Sequence, residues 1–393
     1  MTKLPRVGLL IESSRAAGRA LLKGVADYAH HHGRWSFYWE PGGLEKAWPK
    51  LRSLDLQGII LRDVSKLEEV LRFGIPTVVL GHSRAEVPGV VNVVTDSAAI
   101  GRMGAEHLLG CGFKRFAYCG MTGAPGELVS WSTLREDSFR QPLEEAGLPC
   151  CTYTTAPAGR RSWNQERRAM IRWLRALPRP CGLMACNDDL GKEVIEACKP
   201  AGLAVPDDIA VVGVDNDELV CGFSDPPMSS VAVNFEHAGY EAASVLDRLM
   251  RGMKRVPFRI VVRASRVVPR RSTDIVAVED APLAKALRFV RDRAQTSVSV
   301  NAVAQAAGLS RRALEKRFRR FLKHSVLNEI RRVRTDQIAR LLAETELPVA
   351  QIALDLGFDD VQHVSRYFRA VQGLTPLAYR KAHGRRYAGA GEA

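Results

Sequence analysis

One pattern occurs twice between Val298 and Lys381, and a chain that carries it has few folds open to it. The first copy runs Val303-Ala304-Gln305-Ala306-Ala307-Gly308-Leu309-Ser310, followed by Leu314, Phe318 and Phe321. The second runs Ile352-Ala353-Leu354-Asp355-Leu356-Gly357-Phe358-Asp359, followed by Val364, Phe368 and Val371. Each copy is a short apolar helix, a glycine, an apolar residue, a small polar residue and a second helix, which is the helix-turn-helix layout. Gly308 and Gly357 suit the turn, where positive φ is cheap for glycine. Ser310 and Asp359 are of the type that caps a following helix.

Helical spacing predicts an inward face of Leu314, Phe318 and Phe321 in the first copy, and of Val361, Val364, Phe368 and Val371 in the second. Arg311, Arg312, Glu315, Lys316 and Arg319 are left on the outer face of the first copy, and Gln362, His363, Arg366 and Arg369 on that of the second. Arg and Lys match guanine edges in the major groove, Gln matches adenine, and Glu can only accept, as from a cytosine amino group. A single such face reads most simply as solvated surface; two in register do not. A helix predicted from about Val326 to Thr345 separates the copies and spans roughly 30 Å, close to the ~34 Å turn of B-DNA.

These residues resemble the AraC family of bacterial regulators. The resemblance rests on Leu314-Glu315-Lys316-Arg317-Phe318, Ile352-Ala353-Leu354-Asp355-Leu356-Gly357-Phe358 and Gly373-Leu374-Thr375-Pro376-Leu377-Ala378-Tyr379-Arg380. It implies base contacts at Arg312, Glu315, Lys316, Gln362 and Arg366. It also implies double-stranded operator DNA and RNA polymerase as partners, and activation rather than repression.

The charge agrees. The formal net charge is +14, and from Leu283 onward 21 Lys and Arg face 10 Asp and Glu, so the tail carries +11 and the rest about +3. A lopsided basic balance points to a polyanion for the tail alone. No apolar run approaches the ~20 residues of a membrane span, and Val7–Ile11, followed by Glu12, is too short for a signal peptide. A cytoplasmic chain is expected. All eight cysteines lie between Cys111 and Cys221 without paired Cys-x-x-Cys spacing, so buried reduced thiols are expected and a zinc site is not.

From Arg6 to about Pro269, short apolar runs alternate with amphipathic helices. Strands are predicted at Val7–Ile11, Phe37–Trp39, Gly58–Leu61, Thr77–Leu80, Phe116–Cys119, Leu183–Cys186 and Ile209–Val214. This alternation argues for parallel sheets covered on both faces, in two lobes. Ligands bind such folds beyond the carboxyl ends of strands. Arg15, Asp188 and Asp215 stand just after strands, and Trp131 and Arg135 begin the helix after Phe116–Gly120. Carboxylates pair with hydroxyls, Arg donates a fork, and Trp offers a flat apolar face, a set suited to a small polyol. Asp188 or Asp215 as helix caps, and Trp131 as core, are the alternatives.

This region resembles the sugar-binding fold of periplasmic binding proteins and LacI/GalR regulators. The carrying residues are Asp96-Ser97-Ala98-Ala99-Ile100-Gly101, His107-Leu108-Leu109, Val211-Val212-Gly213-Val214-Asp215-Asn216 and Ser229-Ser230-Val231. The usual N-terminal headpiece of those regulators is not expected, because the first strand begins almost at once. Ala16-Ala17 and Gly123–Ser130 depart from the pattern. The expected fold is therefore α/β, a two-lobed periplasmic-binding-protein-like (type I) domain over residues 1–271. A linker at 272–282 leads to an all-α domain with two helix-turn-helix motifs at 283–393. The effector implied is a sugar, xylose or a related pentose, and the assembly a homodimer.

Other signals are weak. His30-His31-His32 point in different directions on a helix and cannot share one metal ion. Gly120, Gly123 and Gly126 lack the Lys-Ser/Thr ending of a phosphate loop. The acidic residues Asp188, Asp189, Asp215 and Asp217 have no activated nucleophile beside them, and there is no Gly-x-Ser-x-Gly elbow. No cofactor, metal or catalytic residue is expected, and a DNA-tethered sugar-processing enzyme is the weaker alternative. The charge division makes a direct prediction. A fragment from Leu283 onward binds duplex DNA with an affinity that falls steeply with salt, and one ending at Arg271 does not; equal affinity in a mobility-shift titration would refute the division.

Overall fold

The structure is a computed structural model that describes residues 4–393, except 34, 63–65, 82–85, 123–129, 157–159, 254, 276–279, 346, 359 and 384–393. The chain divides into two compact units, Met1–Val276 and Ala277–Ala393.

Lobe 1 of the first unit begins with β1 (Arg6–Leu10), α1 (Ala16–His32), β2 (Ser36–Trp39), α2 (Gly43–Leu51), β3 (Gly58–Arg62), α3 (Leu67–Leu71), β4 (Thr77–Leu80) and β5 (Val91–Thr95). Lobe 2 holds α4 (Ser97–Gly110), β6 (Phe116–Met121), α5 (Ser130–Glu145), β7 (Cys150–Thr155), α6 (Trp163–Ala176), β8 (Cys181–Ala185), α7 (Asp188–Ala201), β9 (Ile209–Val214), α8 (Glu218–Phe223) and β10 (Ser229–Val233). The chain returns to lobe 1 as α9 (Phe235–Met250) and β11 (Arg259–Val262), then ends in lobe 2 as β12 (Ala264–Val268). The sheets have the orders β11-β5-β4-β3-β1-β2 and β12-β10-β9-β8-β6-β7. All strand pairs are parallel except β10 with β12. The chain thus passes between the sheets after Thr95, Val233 and Val262, which makes a hinge.

Every strand read from the sequence is present within two residues of its expected ends, but five others were missed. β7 reads Cys-Cys-Thr-Tyr-Thr-Thr and is an edge strand with little buried surface. β12 is another edge and carries Ser265 and Arg266. β11 is an edge as well, whereas β5 and β10 are interior strands whose apolar runs are broken by Asn92 and by Ser229 and Ser230. Parallel sheets are buried on both faces, so their central strands read as apolar runs and their edges do not.

Glycines decide how closely the helices approach. A Cβ at Gly24 would lie 1.9 Å from the Glu236 carbonyl oxygen, and one at Gly239 would lie 2.1 Å from that of Leu21. These two positions seat α1 on α9. Gly101 does the same for α4 and α5, where a Cβ would come within 2.3 Å of the Arg135 carbonyl oxygen. The approach of α5 fixes the start of that helix at the cleft.

The second unit contains α10 (Ala281–Asp292), α11 (Val300–Ala306), α12 (Arg311–Leu322), α13 (Val326–Glu344), α14 (Val349–Asp355), α15 (Val361–Gln372) and α16 (Pro376–His383). Its two apolar clusters each contain one helix-turn-helix, Leu314 and Phe318 in the first and Val364 and Phe368 in the second. Phe321, Val361 and Val371, expected inward, are 41%, 40% and 43% exposed. All three sit in a first or last helical turn. Ser272 and Thr273, expected to begin the linker, are instead buried in the first unit as part of the 3-10 turn Arg271–Thr273. Residues 276–279 of that linker lie outside the described residues. Among the described residues no helix is long and apolar enough to cross a membrane.

Overpacking the α1–α9 contact costs about 1–3 kcal/mol. Gly24→Ala is therefore expected to lower the unfolding free energy in urea by that order. Gly110→Ala, whose Cβ meets nothing within 4 Å, is expected to leave it unchanged.

Candidate effector pocket and nucleic-acid interface

Strand ends from both lobes enclose a cavity of about 250 Å³, just below the roughly 300–1,000 Å³ of drug-sized sites. Lobe 1 supplies Ile11, Glu12, Arg15, Ala17, Gly18, Leu21, Arg62, Leu80, Gly81, Val93 and Thr95, and lobe 2 supplies Met121, Trp131, Arg135, Asn187, Asp189 and Asp215. Phe235 and Val262 line it at the hinge. Four of the five residues singled out from the sequence, Arg15, Trp131, Arg135 and Asp215, therefore meet in one cavity.

Arg135 is 3% exposed, and its Nη1 donates to the Cys186 carbonyl at 2.5 Å. Its guanidinium carbon lies 4.6 Å from the centre of the Trp131 ring. Its Nε is buried without a partner among the described residues. Such a donor is costly unless something accepts from it. Asp215 sits at φ 101 and Asn216 at φ 52, both in the left-handed region. Strain of that kind persists where the surroundings impose it, commonly at binding sites. Burial pushes the Asp215 carboxyl up to about 6, against the pull of Arg135 and Arg62.

Asp188 does not line the cavity, which corrects the sequence reading. It is 3% exposed and points behind the strand ends. Its carboxylate accepts from the Ser230 hydroxyl at 2.6 Å and from the Asp217 N–H at 2.7 Å. Burial, more than its neighbour Asp215, raises its pKa well above the usual range. Nor is Asp188 the helix cap; Asn187 caps α7 by accepting from Leu190 N–H at 2.9 Å. The carboxylate that faces the cavity is the next one, Asp189.

Asp189 accepts from Arg15 Nε at 2.8 Å, which ties lobe 2 to lobe 1. A second tie lies beside it. The Ala16 N–H at the start of α1 donates to Asp217 Oδ2 at 2.7 Å, while Asp217 Oδ1 caps α8. Glu12, Arg62, Asp189 and Phe235 were missed as lining residues. Arg62 was within reach of the rule that found Asp215, since it ends β3.

In the second unit both turns repeat closely. Gly308 and Gly357 each adopt φ 67, and Leu309 and Phe358 each donate at 2.9 Å, to the carbonyls of Ala304 and Ala353. Ser310 caps α12 by accepting from Ala313 N–H at 3.3 Å. Asp359 lies outside the described residues; Asp360 caps α15 by accepting from His363 N–H. The repeat continues past the recognition helices. They end at Lys323 (φ 62) and Gly373 (φ 73), and Ser325 and Thr375 then cap the next helices.

Arg311, Arg312, Lys316 and Arg319 are exposed on α12, and Gln362, His363, Arg366 and Arg369 on α15. Glu315 is half-buried, with Oε2 inaccessible and without a partner among the described residues. The motif arginines Arg317 and Arg380 turn inward instead. Arg317 pairs with Asp280 at 3.0 Å, and Arg380 donates to the carbonyls of Leu342 and Leu347. Arg334 of α13 donates to the Leu356 carbonyl at 2.6 Å and lies 4.2 Å from the Phe358 ring centre, bracing the second turn.

Comparison with known proteins agrees with this geometry. The periplasmic binding protein-like domain matches residues 105–273 and a helix-turn-helix domain matches residues 303–382. The chain is 29% identical over 385 residues to the xylose operon regulatory protein of Escherichia coli (strain K12), covering 96% of this chain and 97% of that protein. It is 27% identical over 381 residues to the protein of the same name from Haemophilus influenzae, covering 95% and 98%. The solved structure of a xylose-binding transcription activator superposes with a TM-score of 0.77 at 28% identity, covering 98% of this chain and all of that one. A LacI family regulator from Enterococcus faecium with bound ribose shares the fold of the first unit, with a TM-score of 0.55 at 19% identity, covering 70% of this chain and all of that one. The chain is thus an AraC-type transcription regulator with a periplasmic-binding-protein-like sensor, homologous to the xylose operon regulators over 96% of its length.

Proposed function

We propose that the chain is a cytoplasmic, dimeric activator. It binds a pentose of the xylose type in the cleft of its first unit, binds operator DNA with its second, and engages RNA polymerase there. The observation that carries the effector assignment is Arg135, a buried guanidinium with an unengaged Nε, standing with Asp215 in a cavity of monosaccharide size. Arg135 donates to ring or hydroxyl oxygens, Asp215 and Asn187 accept from hydroxyls, and Trp131 and Phe235 offer apolar faces to the ring. The relatives' names supply xylose. Carboxylate–hydroxyl pairing is a binding chemistry, and no activated nucleophile stands among the described lining residues, so we read the site as non-catalytic. A thermal-shift screen of pentoses and hexoses tests the reading, because a ligand of the folded state raises its melting point. If no monosaccharide does so, the effector assignment fails.

On the DNA side we assign base reading to Arg312, Glu315, Lys316, Gln362 and Arg366. Arg311, Arg319, His363 and Arg369 lie around them. Arg312→Ala and Arg366→Ala are each expected to cost about 1–3 kcal/mol of discrimination at one base step. Selection of binding sites from random duplexes reads this directly, and an unchanged preference in both variants would place recognition elsewhere.

The raised pKa of Asp215 gives a pH prediction. Below about pH 6 the folded carboxyl holds a proton and no longer accepts from two hydroxyls. D-xylose affinity measured by calorimetry is expected to fall from pH 7 to pH 5, and that of Asp215→Asn to be weak and flat. Stability runs the other way. The folded group keeps its proton where an unfolded one, at about 3.8, has lost it. Its contribution is present in acid and is lost as pH rises from about 4 to 6.

A further inference from the structure

We propose that Arg270 is the positioning residue that couples the effector pocket to the chain leaving the sensor; this rests on the reading of the cavity as the effector site. Arg270 lines no part of the cavity, yet it touches the turn that does. Its Nη2 donates to Asn216 Oδ1 at 2.7 Å, and Asn216 directly follows Asp215 in the strained turn. Its Nη1 donates to the Met228 carbonyl at 2.9 Å, just before β10. One guanidinium thereby joins the ends of two adjacent strands.

The backbone of the same residue starts a second set of bonds. The Arg270 N–H donates to Ser229 Oγ at 2.7 Å. Ser229 Oγ lies 2.7 Å from Thr273 Oγ1, which lies 2.8 Å from His107 Nε2. Burial lowers the His107 pKa. These side chains form a continuous chain of hydrogen bonds, and the Ser229 hydroxyl also reaches the Arg270 carbonyl at 3.0 Å. Ser272 closes the set. Its hydroxyl donates to the Val211 carbonyl at 2.5 Å and accepts from the Ser229 N–H at 2.8 Å. Val211 belongs to β9, the strand that ends at the Asp215 turn.

The middle of β9, at Val211, and the turn that follows β9, at Asn216, are therefore both bonded to residues 270–273, which stand shortly before the division between the two units. A ligand that moves Asp215 moves Asn216, and the Arg270 fork passes that displacement to the exit segment. Ser229, Ser272 and Thr273 are buried and Arg270 and Asn216 are half-buried, and a hydrogen-bonded network of this kind can hold discrete arrangements, as coupling between sites requires.

The test uses the full chain, D-xylose, and a duplex selected on the wild-type protein from random sequence. D-xylose is titrated by calorimetry with and without the duplex, and the ratio of the two affinities is the coupling factor, which linkage makes reciprocal. Arg270→Ala is expected to bind D-xylose within about threefold of wild type while its coupling factor falls toward one, since coupling and intrinsic affinity are separable quantities. Arg270→Lys, which lacks the planar fork, is expected to fall between. Thr273→Val removes only the relay hydroxyl and is expected to lower the coupling factor as well; it carries the test if Arg270→Ala does not fold. Hydrogen exchange at the amides of Ser272 to Asp274 is expected to respond to D-xylose in wild type and not in Arg270→Ala. A wild-type coupling factor in Arg270→Ala and Thr273→Val overturns the proposal, as does loss of D-xylose binding together with coupling. Absence of coupling in the wild type overturns the proposal too, and leaves the reading of the cavity as the effector site to the thermal-shift screen.

Discussion

A buried carboxylate, that of Asp188, holds the ligand end of lobe 2 in place. Removing a carboxylate from water costs several kcal/mol unless its lone pairs are filled. Here Ser230 and the Asp217 backbone fill them, and both lie on the far side of the turn that presents Asp215. The turn carries two non-glycine residues at positive φ, each a cost of order 1–3 kcal/mol, and it stays where it is because its flanks are bonded to Asp188. Space for that carboxylate comes from Gly213, where a Cβ would stand 2.3 Å from Asp188 Oδ1. The glycine, the buried acid and the strained turn are one arrangement.

The general layout was legible in the amino-acid order because it follows from periodicity. Strands such as Thr77–Leu80 and Ile209–Val214 are uninterrupted apolar runs, and the two turns at Gly308 and Gly357 announce themselves by repetition. Side-chain direction was less legible. Asp188 and Asp189 are adjacent, acidic and both just past a strand, and sequence spacing cannot say which one turns toward the cleft. The structure assigns that place to Asp189, because Asn187 starts the helix and the first helical residue, Asp188, is rotated back under the sheet. Arg62 was missed for a different reason. It directly follows the predicted strand Gly58–Leu61, and nothing in its spacing shows that it turns toward the second lobe rather than into solvent.

In the DNA-binding unit the family motifs divide into two uses of the same residue type. Arg312 and Arg366 stand in solvent, whereas Arg317, Arg334 and Arg380 spend their donors on Asp280 and on helix-end carbonyls. Those carbonyls have no partner inside their own helices, and the arginines fill them from the side. The high positive charge of the tail is therefore partly a framework and only partly a surface for phosphate and bases. Motif identity alone does not separate the two; burial does.

The pair between Arg15 and Asp189 has a consequence for the resting behaviour of such a sensor. Both side chains are about half exposed, at 51% and 46%, and an exposed pair contributes about 0–1 kcal/mol. This pair thus favours the meeting of the lobes by at most about fivefold, a bias rather than a lock. A bias of that size leaves joined and parted lobes both populated, and single substitutions at the cleft mouth shift their ratio. The bias also weakens as ions screen the pair, so the ratio of the two arrangements depends on salt.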